Sequence, residues 1–181
     1  LTIMLTVTAW LTLSAMSSPF VHKKSTTKSD YITVLNARRG QPMPRRYADR
    51  ITKISGVNDL SYIDIQLLTC AGSGRTATIN AIGGDSLRQV LSEEGVAEDV
   101  FNNWAEDRLG VIVSESLASS CGWLKGTTVS PRDVKGQPVE IHISGTYPTQ
   151  GGGGGAYGHY NYFNRISSLA GAEKVLQIYV R

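Results

Sequence analysis

The stretch at positions 110–123, GVIVSESLASSCGW, decides the fold class. Residues 110–113 form a short, β-branched apolar run that is typical of a buried strand. Ser114 is a preferred N-cap residue, and it predicts a helix over Leu117 and Ala118 that ends at Gly122. The sequence therefore predicts a buried strand that leads directly into a capped helix.

Apolar periodicity also predicts strands and helices along the rest of the chain. Further strands are predicted at 31–35, 57–69, 75–82, 123–130, 139–145 and 175–180. Further helices are predicted at 44–54, 87–91 and 96–108, with a hairpin turn at 70–74. This order of elements predicts an α+β (mixed α/β) fold, and the long connection between residues 82 and 110 suits a second lobe inserted into a first.

The first 21 residues are apolar residues mixed with Ser and Thr, and they contain none of the chain's 18 basic and 15 acidic side chains. A helix of roughly 20 such residues can span a bilayer, so we predict a transmembrane helix at 1–21. A secretory signal peptide with a cleavage site at Ala15-Met16-Ser17 is an alternative, although it would lack a positive n-region. A buried core helix is the third possibility. A polar linker at 22–29 and a domain at 30–181 follow.

Composition argues against several functions. The net charge of +3 is mild, and no basic stripe with interleaved aromatic residues predicts nucleic-acid binding. Cys70 and Cys121 could form a disulfide in an oxidising compartment, or they could be two separate buried residues. No histidine lies at metal-binding spacing from either cysteine, and we predict no metal and no cofactor.

The motifs that would indicate an enzyme are incomplete. Residues 72–76, GSGRT, resemble the end of a phosphate loop, but Arg75 replaces the lysine and a strand follows in place of a helix. His142 alternates with apolar residues, which predicts a solvent-facing position on a strand. No serine lies in a nucleophile elbow. We therefore predict a non-catalytic domain, with an extracytoplasmic hydrolase as an alternative.

Near the C-terminus, five consecutive glycines at 151–155 precede an aromatic segment. The glycine run predicts a mobile loop, because it has no side chains to pack. Exposed aromatic residues suit interfaces, whereas buried ones pack in a core, and the sequence alone allows both. The candidate partner contacts are Tyr157, His159, Tyr160, Tyr162 and Phe163.

Several segments, taken in order, resemble one known family. They are the helix pattern from Pro44 to Val57, the stretch 110–118 leading to Gly122-Trp123 and Gly126, the strand 139–145 followed by Tyr147, residues 160–162, and the closing strand 175–180. Together they are similar to the MacB-like periplasmic core domain of FtsX-like ABC transporter permeases. Thr127 departs from the family, in which many relatives have Asp after the glycine.

The resemblance implies a two-lobed periplasmic domain, in which a porter-like α/β lobe carries a smaller inserted lobe at about 85–145. It also implies a position directly after the first transmembrane helix of a permease in a bacterial inner membrane. The domain would then transmit motion driven by a separate ATPase subunit. Its other partners would be a periplasmic adaptor, a lipoprotein or an exported substrate, within a homo- or heterodimeric transporter. A secreted or membrane-anchored binding module is the alternative without transport.

Overall fold

The computed structural model describes residues 31–38, 40–149, 154–166 and 173–181. These residues form ten strands and five helices. The strands are β1 (Ile32–Leu35), β2 (Met43–Pro44), β3 (Leu60–Thr69), β4 (Thr76–Gly84), β5 (Gly110–Ser114), β6 (Thr128–Val129), β7 (Ile141–Tyr147), β8 (Ala156–His159), β9 (Lys174–Val175) and β10 (Gln177–Val180). The helices are α1 (Arg46–Ile51), α2 (Leu87–Glu93), α3 (Glu98–Glu106), α4 (Glu115–Cys121) and α5 (Tyr160–Ile166).

Eight strands form one mixed sheet in the order β1-β10-β3-β4-β8-β5-β7-β6, and β2 pairs with β9 beside it. Neighbouring strands of the large sheet are antiparallel, except that β8 runs parallel to β4 and β5 runs parallel to β7. A sheet of this mixed kind with helices packed on it is an α+β (mixed α/β) fold, so the predicted class is confirmed.

Helices cover both faces of the sheet, and the side chains of β5 alternate between the two cores. Val111 and Val113 pack with Phe163 of α5 in one cluster, to which α4 also contributes. Ile112 packs with Trp104 of α3 in the other cluster, to which α2 also contributes. Alternation of this kind follows from the strand geometry and explains why all five residues of β5 are buried.

The turn after α4 corrects one prediction. Gly122 has a left-handed φ of 67°, and the N–H of Trp123 donates to the carbonyl of Ala118. This pattern terminates the helix and buries Trp123 in a turn. The predicted strand at 123–130 is therefore wrong over most of its length, because only Thr128 and Val129 pair with β7.

The segment 85–145, predicted as an inserted lobe, contributes strands to the same sheet as the two ends of the chain. β5 pairs with β8 along one side and with β7 along the other. Residues 31–181 form one compact unit. The division into a porter-like lobe and an inserted lobe stays a prediction.

Among the described residues, no helix combines the length and the apolar character that crossing a bilayer requires. The predicted transmembrane helix at 1–21 and the linker at 22–29 lie outside those residues. The first three glycines of the predicted loop at 151–155 also lie outside them.

A disulfide joins Cys70, just after β3, to Cys121 at the end of α4, with a Cα–Cα distance of 5.4 Å. The sequence left open whether these residues pair, and the structure shows that they do. The bridge closes a loop with a sequence separation of 51 residues, and both cysteines are buried in the same core cluster.

Replacing both cysteines with alanine is expected to lower the free energy of unfolding by up to about 4 kcal/mol, because the disulfide restricts the unfolded chain. Guanidinium unfolding followed by circular dichroism measures this change. A reductant should shift the unfolding midpoint of the wild-type chain and leave that of the Cys70→Ala/Cys121→Ala chain unchanged. Equal stability of the wild-type and double-alanine chains without reductant would contradict the expectation.

Candidate functional site

The five aromatic and histidine candidates lie on β8 and α5, which follow each other without a loop. β8 is central in the sheet, between β4 and β5. Tyr157 faces the core beneath α3, whereas Ala156 and Gly158 face α5. A Cβ at Gly158 would lie 2.3 Å from the Phe163 ring, so the glycine allows α5 to fold back closely onto the strand.

Three of the candidates are core residues. Tyr157, Tyr160 and Phe163 are 8%, 3% and 1% exposed, respectively. Tyr160 packs edge-to-face on Tyr62 at 4.8 Å between ring centroids, and its hydroxyl donates to the carbonyl of Lys174 at 3.0 Å. Burial raises the pKa of Tyr160 to about 12. These three rings are buried in the domain on its own, so they have little exposed surface that a partner could contact.

His159 is held against the C-terminal end of α3. Its ring stacks on Trp104 with a centroid distance of 4.0 Å and an interplanar angle of 5°. Its Nε2 donates to the carbonyl of Trp104 at 2.9 Å, and the same carbonyl accepts from the N–H of Asp107 at 3.1 Å. Burial lowers the pKa of His159, so the imidazole is neutral at pH 7.

Tyr162 is half-buried and lies at the rim of the same region. Its ring packs edge-to-face on Phe163, and its hydroxyl donates to the carbonyl of Glu140. Burial raises the pKa of the Tyr162 hydroxyl, which therefore stays a neutral donor. His159 and Tyr162 are thus the two candidates that reach the surface.

These two side chains border a pocket of about 340 Å³ between the end of α3 and α5. The residues that line it are Ala105, Arg108, His159, Asn161, Tyr162 and Arg165. Neither Arg108 nor Arg165 makes a hydrogen bond or an ion pair with any residue that the structure describes. Two guanidinium groups that have no described partner and line one pocket can bind a carboxylate or another acidic group.

Sequence reasoning did not select Arg108 and Arg165. Arg108 follows α3 and Arg165 lies in the last turn of α5. Only the pairing of β8 with β5 brings these two distant segments together. No local motif in the sequence signals that meeting.

A second cluster of polar side chains lies across the loop at 107–109, which follows α3, from this pocket. Asp107 Oδ2 accepts hydrogen bonds from His142 Nδ1 and from the hydroxyl of Ser144, the latter at 3.1 Å. The three side chains line a cavity of about 470 Å³ together with Glu106 and Lys125. The His142 side chain is 36% exposed, whereas Ile141 and Ile143 are fully buried, so it lies on the outer side of the strand as predicted. The sequence did not reveal its pairing with the Asp107 carboxylate.

This cluster contains the residue types of a hydrolase but not their connectivity. In a Ser-His-Asp relay, the histidine contacts the serine hydroxyl and the aspartate orients the histidine. Here the aspartate is the central group, and both His142 and Ser144 donate to its Oδ2 atom. Ser144, which is 7% exposed, has no hydrogen bond to His142 among the described residues. The arrangement fixes the loop and does not activate a nucleophile.

No group of three or more His, Cys, Asp or Glu side chains in the described part of the chain could hold a metal ion. The stretch GSGRT at 72–76, which resembles the end of a phosphate loop, lies in the hairpin between the antiparallel strands β3 and β4, and β4 follows it in place of a helix.

The two ends of the described domain meet on neighbouring strands. β1 and β10 are antiparallel, with Ile32 opposite Val180. The backbone of Arg181 is held by Asn58 and Asp59, whose N–H groups donate to its carbonyl at 2.7 and 3.2 Å. Segments that continue from the two ends would therefore leave the domain close to each other.

Solved structures with a similar fold are known. No family model and no curated protein matches the chain. The periplasmic region of MacB from Actinobacillus actinomycetemcomitans matches with a TM-score of 0.56 and 14% identity, over 84% of this chain and 74% of that one. The chain has the MacB periplasmic fold. The predicted resemblance is confirmed at the level of the fold.

A second solved structure agrees. It is the extracellular domain of the noncanonic ABC-type transporter YknZ from Gram-positive bacteria. The TM-score is 0.55 and the identity is 15%, over 83% of this chain and 81% of that one. The MacB-like fold therefore recurs in domains that lie outside the membrane of ABC-type transporters.

The Asp107–His142 pair is expected to stabilise the domain most between about pH 4 and 6.5. The hydrogen bond that His142 donates to Asp107 raises the pKa of His142. The contribution of His142 to stability is therefore complete below the pKa of an unfolded histidine and is lost as pH rises through the folded value. Burial opposes ionisation of Asp107, but hydrogen bonds from His142 and Ser144 lower its pKa overall. Its contribution is therefore lost as pH falls through that lowered value.

Urea unfolding of the wild-type chain and the His142→Gln chain at pH 5.5 and 8.5 measures this contribution. The stability difference between the chains should be larger at pH 5.5, and it should stay below about 1 kcal/mol because the pair is partly exposed to solvent. A difference that is larger at pH 8.5 would contradict the assignment.

Proposed function

We propose that residues 30–181 are the extracytoplasmic domain of an ABC transporter permease, anchored by a membrane helix at 1–21. The domain faces the periplasm, or the outside, of a bacterial inner membrane. It moves with the permease when a separate ATPase subunit binds and hydrolyses ATP. The domain itself performs no chemistry, and the complete transporter contains two permease units.

The observation that carries this proposal is the pairing of β1 with β10, which puts the first and last strands of the domain side by side. Both strands belong to the continuous sheet whose other edge is β6. A displacement of the paired ends is passed to the whole sheet through backbone hydrogen bonds. Such a joint suits the transmission of motion from membrane helices to a rigid domain.

Partner binding is proposed for the pocket that contains Arg108, Arg165, His159 and Tyr162. An acidic side chain of a periplasmic adaptor, lipoprotein or exported substrate would pair with the two arginines. Tyr162 and the stacked His159–Trp104 pair supply a rigid wall, because their positions are fixed by hydrogen bonds and ring contacts. Tyr157, Tyr160 and Phe163 would support this wall from the core.

Lengthening the linker at 22–29 by six Gly/Ser residues is expected to reduce transport strongly and to leave the ATPase activity of the assembled transporter in place. The longer linker lets the membrane helix move without moving β1. The matched control is the same insertion in the turn at 133–136, beside the opposite edge of the sheet. Equal transport by both chains would argue against a mechanical role for the linker.

A secreted binding module is the second candidate, and the Ala15-Met16-Ser17 site favours it. Mass spectrometry of the mature protein separates the two candidates. We expect residues 1–21 to be retained in the membrane fraction. An N-terminus that begins just after this site would establish the secreted form instead.

A further inference from the structure

The most unusual exposed surface of the domain lies on α1 and the adjoining end of β1. We name it the α1 surface, and it consists of Leu35, Arg46, Tyr47, Arg50, Lys53 and Ile54. Turns continue beyond α1, because the N–H of Ile54 donates to the carbonyl of Ile51 at 3.0 Å. Residues 46, 50 and 53 therefore form one basic row, and residues 47, 51 and 54 form an apolar row beside it.

The apolar row is open to solvent. Tyr47, Ile54 and Leu35 are 42%, 59% and 53% exposed, respectively. All three border a groove of about 520 Å³, whose floor includes Met43 and Ile51. Single exposed apolar side chains are ordinary, but several that border one groove mark an interaction surface.

The basic row has no counter-charge of its own. Arg46, Arg50 and Lys53 are exposed, and their side chains make no ion pair with any described residue. Asp49, the one acid within α1, is already paired with Arg45 at 3.2 Å. The surface therefore offers three cations that are unpaired within the described residues, beside a strip of apolar side chains.

We propose that the α1 surface lies against an anionic phospholipid bilayer. Cations beside exposed aromatic and aliphatic residues match the lipid phosphates and the boundary of the acyl chains. This inference rests on the proposed membrane anchor at 1–21. The nine residues from 22 to 30 can span at most about 30 Å, so the anchor keeps β1 close to the bilayer.

Other occupants fit the surface less well. A second copy of the chain, bound through the same surface, would bring the three unneutralised cations of each copy together. A peptide that paired with the free edge of β1 would contact the backbone of a strand of only four residues. It would leave the basic row unused. An anionic bilayer, in contrast to these two occupants, uses both rows.

Hydrogen–deuterium exchange of the full chain in lipid nanodiscs tests the proposal. We expect amide exchange over 46–54 to be about tenfold slower in discs that contain phosphatidylglycerol than in discs of phosphatidylcholine alone. Arg46→Glu/Arg50→Glu/Lys53→Glu should abolish this difference. The matched control, Lys125→Glu/Lys135→Glu, alters exposed lysines near the opposite edge of the sheet and should preserve it.

Each other outcome overturns the proposal in a distinguishable way. A chain that stays in the discs but shows equal exchange in both lipids contradicts the lipid contact and leaves the proposed anchor intact. Protection that depends on protein concentration and not on lipid charge identifies a second copy as the occupant. A chain that does not remain in the discs refutes the anchor itself, and the lipid contact with it.

Discussion

The backbone pairing of β8 is the interaction on which the rest of the fold depends. This short strand hydrogen-bonds to β4 on one side and to β5 on the other. It therefore joins the half of the sheet that contains the first and last strands of the domain to the half built from the strands between them. Its small residues, Ala156 and Gly158, let α5 pack closely, while Tyr157 fills the core on the opposite face.

The same constraint explains what the aromatic segment can do. A central strand buries both of its faces, so the Tyr157 side chain packs in the core and offers little surface to a partner. Tyr160 and Phe163 follow in a helix that turns back over the sheet, and they are buried for the same reason. Only His159 and Tyr162, at the rim beside the end of α3, border open space. The proposed binding in this region therefore depends on Arg108 and Arg165, which line the same pocket and are exposed outside the core.

Local patterns predict much of this fold. The alternation of Ala77, Ile79 and Ala81 identifies β4, and Ser114 with Gly122 bounds α4 closely, because capping residues act through their nearest neighbours. Periodicity fails where a tertiary contact decides the outcome, as in 123–130, where the helix-terminating turn already buries Trp123. The Asp107–His142 pair and the arginine pocket depend on strand register. Neither could be read from a sequence without the order of the sheet.

Both ends of the described domain are fixed to the sheet. Arg181 is held by backbone bonds to residues 58 and 59, and β1 lies along β10, so neither end of the domain can move without the sheet. The disulfide between Cys70 and Cys121 ties the far end of β3 to α4, which follows β5 in the other half of the sheet. Backbone hydrogen bonds between Thr69 and Arg132 join the same end of β3 to the segment between β6 and β7. In the proposed mechanism, a displacement that starts at β1 would therefore reach the other half through the pairing of β8, through the disulfide and through the Thr69–Arg132 bridge. A rigid connection between the halves, and not a flexible hinge, is what this proposed role requires.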